Sequence, residues 1–74
     1  MTTEPMISST DAAELAHTYH WYMRDLVADN AAGIAVYGGW LLSMQERMGV
    51  TLVDPEDLSI IVLGANERFD ELAA

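Results

Sequence analysis

The apolar positions of this chain recur with a helical period through most of its length. Ala12, Leu15, Ala16, Tyr19, Met23, Leu26 and Val27 fall on one face at about 100° per residue. Ser8, Ser9, Thr10 and Asp11 gather helix-starting side chains just before them, and Asp11 followed by Glu14 fits a capping box. The spacing predicts a first helix over 11–29. Asp29, Asn30 and Gly33 then mark a tight connection. Ile34, Tyr37, Trp40, Leu41, Met44 and Met48 share the face of a second helix over 32–48, which Gly49 is placed to end in a left-handed conformation. Gly33, Gly38 and Gly39 each weaken that helix by roughly 1 kcal/mol relative to alanine, a cost that packing must offset.

Val50 to Val53 reads as a short extended segment. Asp54-Pro55-Glu56-Asp57 is the best local signal in the chain: Asp at the cap, Pro at the first helical position and acids in the first turn all favour a helix start. Leu58, Ile61, Val62, Ala65, Phe69 and Leu72 line one face of a third helix over 54–72, with Gly64 and Asn66 as points where it can break. A rival reading competes here. Ser59-Ile60-Ile61-Val62-Leu63 is rich in β-branched residues and fits a hairpin at 50–63. The expected fold is therefore all-α, a small three-helix bundle, with an α+β fold as the alternative. Helices 1 and 2 would form an antiparallel hairpin with helix 3 packed across them. Residues 1–9 read as a flexible N-terminal arm and 10–74 as a single helical domain. The expected core is Leu15, Tyr19, Met23, Leu26, Ile34, Leu41, Met44, Leu58, Ile61, Val62, Phe69 and Leu72.

Composition narrows the function classes. The chain has 74 residues and no cysteine, so neither disulfides nor thiolate metal sites supplement a small core. With 51% hydrophobic residues it is too apolar for an intrinsically disordered chain. Twelve acids face three arginines, a formal net charge of −9. Such acidity keeps a small apolar protein soluble, and it also attracts a basic partner. Direct nucleic-acid binding is not expected, because phosphate contacts need clustered cations and Arg24, Arg47 and Arg68 lie far apart in sequence. The uncharged stretch 31–44 is shorter than the roughly 20 apolar residues a membrane span requires. Residues 1–9 carry Glu4 and Pro5, with no Lys or Arg followed by an apolar run, so no secretory signal is read and the cytoplasm is expected.

Candidate contact residues come from the polar stripes. Asp11, Glu14, Thr18, Tyr22, Asp25 and Asp29 fall within a sector of about 80° on helix 1, read as a solvated face that can dock on a basic surface. His17, Trp21 and Arg24 lie beside it, and an exposed Trp next to an Arg has the composition of a binding hot spot. The plainer reading is that Trp21 packs under the N-terminal arm or against helix 3, while Arg24 stacks on it. Ala31, Ala35, Gly38 and Gly39 form a small-residue stripe on helix 2, suited to internal packing or to self-association. On a continuous helix 3, Ile60 and Leu63 project away from the apolar face among Glu56, Glu67 and Asp70. The partner-binding candidates are Trp21, Arg24, His17, Glu14, Asp25, Tyr22, Ile60 and Leu63.

Catalytic chemistry has little support. No Gly-rich phosphate loop is present, and no serine has a visible His–acid partnership. Glu14-x-x-His17-x-x-His20 offers one helix side to a metal but falls short of the three or four ligands a zinc site needs, so no metal and no cofactor is expected.

Met44-Gln45-Glu46-Arg47-Met48-Gly49-Val50-Thr51-Leu52, followed by Asp54-Pro55-Glu56-Asp57-Leu58, resembles the second half of an acyl carrier protein. The resemblance implies a helix ended by Gly, an extended loop and short acidic helices closing a small bundle. It also implies a carrier serine opening helix 2 in an Asp-Ser-Leu motif. The matching positions here read Gly33-Ile34-Ala35, so no phosphopantetheine can be attached. The function expected is a small acidic non-catalytic protein-binding module, an inhibitor or adaptor docking on a basic surface of a larger protein. The alternatives are a homo-oligomer assembling through helix 2 or the exposed face of helix 3, and a divergent acyl-carrier-like protein.

Overall fold

A computed structural model describes residues 8–73, and the side chains of residues 8–70. The reading of residues 1–9 as an arm lies mostly outside this range. Of its last two residues, Ser8 caps the first helix and Ser9 opens it. α1 spans Ser9–Val27, and the Ser8 side chain accepts from the Asp11 backbone N–H at 3.0 Å. Asp11 is therefore in the first turn of the helix rather than at its cap. α2 spans Ala31–Met48, capped by Asn30 and closed by Gly49 at φ 69°. α3 spans Pro55–Ala73 without a break at Gly64 or Asn66. Asp54 starts it: its side chain accepts from the N–H of Glu56 at 2.9 Å and of Asp57 at 3.3 Å. These bonds take up helix-end donors that a hairpin turn would leave free. No strand forms among the described residues, so the fold is all-α.

The helices run up, down and up. α1 and α3 both pack on α2, and no Cα of α1 comes within 8 Å of one in α3 among the described residues. α2 is thus the central element, and its buried line is Ile34, Gly38, Leu41, Gln45 and Met48. Leu15, Tyr22, Leu58 and Ala65 complete the core, with Tyr19, Met23, Leu26, Met44, Ile61 and Val62 packed at its edge. Phe69 is largely exposed, against expectation. Arg68 already reaches Asp29 in the turn between α1 and α2, through an ion pair of 2.7 Å.

Two glycines explain how α1 sits. A Cβ at Gly33 would overlap the Asp25 carboxylate, and one at Gly38 would stand 2.6 Å from Val62 Cγ2 and 3.3 Å from Tyr22 Cε1. α1 and α3 therefore close on α2 at positions where only glycine leaves room. Gly33 is not part of the turn. That turn is made by Ala28, Asp29 at φ 54° and Asn30.

The connector between α2 and α3 is held by one side chain. Gln45, buried on α2, accepts from the N–H of Leu52 and of Val53 at 2.8 Å each and donates to the Val53 carbonyl at 3.0 Å. In a connector with no strand partner, three backbone groups are thereby paired.

Candidate functional site

The face that α1 turns inward is not the one its apolar pattern predicts. The buried residues are Leu15, Thr18, Tyr22 and Asp25. Their mean direction is rotated by about 100° from the expected apolar face, the angle between adjacent helical residues. Tyr22 is 1% exposed and Asp25 7%, so neither is a contact residue, and the acidic strip on helix 1 is not a solvated face. The Asp25 carboxylate lies against Gly33 in the first turn of α2. There the positive end of the helix dipole favours a negative group, and α2 has no acid of its own in that turn. Burial raises the Tyr22 phenol above its usual value of 10.0, and neighbouring Tyr19 adds to the shift. Desolvation disfavours the phenolate, so the phenol form is held.

Two surfaces remain open. The first lies on the α1/α2 pair. Arg24 stands 4.6 Å above the Trp21 ring, which stacks on Tyr37 at 6.4 Å, and Tyr37 meets Trp40 edge-on at 5.4 Å. His17 and His20 contact the Trp21 edge, and the Trp21 indole N–H donates to His17 Nε2. Trp21 is therefore half-buried with Arg24 stacked on it, as the plainer reading had it, but its ring packs on Tyr37 of α2 and not on helix 3. Trp40, which the sequence pattern assigned to the buried face of α2, is 57% exposed. Beside it opens a groove of about 590 Å³ whose walls include Glu14, His17, Trp40, Met44 and Arg47. Its volume lies within the range of small-ligand pockets, but it is a shallow, open surface feature.

The second surface is the outer face of α3. Ile60 and Leu63 are 64% and 61% exposed. They sit one turn apart, on the same side of the helix as Glu56, Glu67 and Asp70, all exposed. No basic side chain lies on that side: Arg68, the only one in α3, projects toward Asp29.

No family model, no curated protein and no solved structure matches this chain. Where the acyl carrier resemblance implies short acidic helices after the loop, the structure has one continuous helix of 19 residues. Among the described residues no three His, Asp or Glu side chains gather as a metal-holding group, and no helix is long and apolar enough to cross a membrane.

Of the residues singled out from sequence, the structure brings His17, Trp21 and Arg24 together on α1, with Glu14 at the adjoining groove. Ile60 and Leu63 form the separate α3 patch. Trp40 was missed because a Trp at helical spacing reads as core. Gln45 was missed because a single Gln in a helix carries no signal of its bonding.

Proposed function

We propose that this chain is a non-catalytic protein-binding module that docks on a basic surface of a larger protein through the outer face of α3. The observation that carries this reading is the exposed pair Ile60 and Leu63 among Glu56, Glu67 and Asp70. Exposed aliphatics rimmed by charge of one sign supply both parts of a docking surface. The aliphatics provide apolar area to bury, and the carboxylates provide a field that attracts and orients a cationic partner. The net charge of −9 strengthens that attraction, which salt screens beyond a Debye length of about 8 Å at physiological ionic strength. Action as an inhibitor or adaptor would then be steric, by occupying the partner's basic site.

Of the acidic strip read on helix 1, Asp25 is buried and Asp29, in the turn, is paired with Arg68, which leaves Glu14 as its one fully exposed carboxylate without that pairing. The exposed carboxylates of α3 and its leading turn replace them. The test is the association rate with a basic partner captured from native lysate, measured across ionic strength. The reading predicts a rate that falls as salt rises. It also predicts that alanine at both Ile60 and Leu63 weakens binding by more than about 1 kcal/mol. A salt-independent rate with unchanged affinity would reject it.

A further inference from the structure

We infer that the aromatic–arginine face of α1/α2 is built to receive the outer face of α3 from a second copy of this chain, giving head-to-tail association. The inference shares the α3 face with the function proposed above but requires no other protein.

The two surfaces are complementary in charge and in length. On the α1/α2 pair, Trp21, Tyr37 and Trp40 form the middle of a strip that Arg24 borders at one end and Arg47 at the other. The Arg24 guanidinium lies over Trp21, which stacks on Tyr37, and from Tyr37 to Arg47 is ten residues of α2, about 15 Å. On α3, Ile60 and Leu63 lie between Glu56 and Glu67, eleven residues apart, about 17 Å. One surface thus has aromatics between two arginines, with Glu14 on the groove wall near Arg47, and the other has aliphatics between carboxylates, at nearly the same span. The pairing places Trp40 on the exposed aliphatics and both arginines within reach of acids.

The distribution of charge selects this orientation. Among the described residues Arg24 and Arg47 have no carboxylate within 4 Å, whereas Arg68 is paired with Asp29. The α1/α2 strip is therefore the one described surface that offers free cations to the acidic face of another copy. Two α3 faces would repel each other, since that face carries carboxylates and no cation. Because the contact joins two different patches, it does not close at two chains; it continues as a ring or an open chain. Each patch is a single strip one or two helices wide, so the contact is of the small class and populates at high protein concentration.

The test uses Leu63→Arg, which blocks the α3 face, and Trp40→Glu, which blocks the aromatic face. Both positions are exposed, and far-UV circular dichroism verifies that each variant keeps its helices. Sedimentation velocity from micromolar to millimolar protein should show the unaltered chain growing beyond two copies. Each variant alone should stay a single chain. An equimolar mixture of the two should form a species of two chains and nothing larger, since only one productive contact remains. A strictly monomeric unaltered chain, growth that stops at two copies, or a mixture that stays monomeric would overturn the inference. These outcomes involve this chain alone, so they are independent of whether it binds a basic partner.

Discussion

Replacing Gln45 by Met isolates what holds the α2–α3 connector. Met keeps the length and roughly the volume of the side chain, so the core around it stays filled. It removes two acceptor contacts to the N–H groups of Leu52 and Val53 and one donor contact to the Val53 carbonyl. Each hydrogen bond contributes about 0.5–1.5 kcal/mol net, and more where the abandoned backbone group stays out of water. Three together give roughly 2–4 kcal/mol. A chain of 74 residues has a total stability of about 4–11 kcal/mol at typical values per residue. The substitution therefore removes a large share. At roughly 4–8 °C per kcal/mol, the expected fall in Tm is about 8–32 °C. Urea unfolding followed by circular dichroism measures it, and an unchanged m-value shows that the same surface is exposed in both proteins. Gln45→Met as stable as the unaltered chain would refute the role assigned to these bonds.

The glycines separate into two groups under substitution by alanine. Gly39→Ala and Gly64→Ala should each stabilise by about 0.5–1 kcal/mol, since nothing lies within 4 Å of either new Cβ and both sit in helices. Gly33→Ala and Gly38→Ala should destabilise, because the new atom meets Asp25 or Val62 and Tyr22; a gain in urea midpoint at either would contradict the packing described. Tyr22 has a phenol raised above 10.0 in the folded chain, so above that pH the unfolded chain binds fewer protons than the folded one. Stability then falls as pH rises past 10 and through the raised value, and Tyr22→Phe should lose less. Equal losses in both proteins, read from urea midpoints on either side of pH 10, would count against burial of that hydroxyl.

The parts of the fold that the sequence announces are those written in local chemistry. Asp54-Pro55-Glu56-Asp57 starts α3 through cap bonds made within one turn, and Gly49 ends α2 at φ 69° because a left-handed residue favours glycine. Ile60 and Leu63 could be placed outward from helical spacing alone, since α3 runs unbroken. What stayed hidden depends on how the helices meet. Hydrophobic periodicity weights Tyr37 and Trp40 on α2, yet its buried line passes through Gly38 and Gln45, neither of which scores as apolar. The missing side chain at Gly38 admits Tyr22 and Val62, and that at Gly33 admits Asp25. α1 consequently turns a mixed stripe inward and leaves Val27 in water. A buried carboxylate beside a helix start has no signature in composition, so Asp25 reads as a surface acid until α2 is set against it.

The most direct test of the proposed docking surface is a native pull-down run in parallel with the unaltered chain, Leu63→Arg and Trp40→Glu. The account predicts a basic protein retained by the unaltered chain and by Trp40→Glu, and lost with Leu63→Arg. The same protein recovered in equal amount by Leu63→Arg would contradict it.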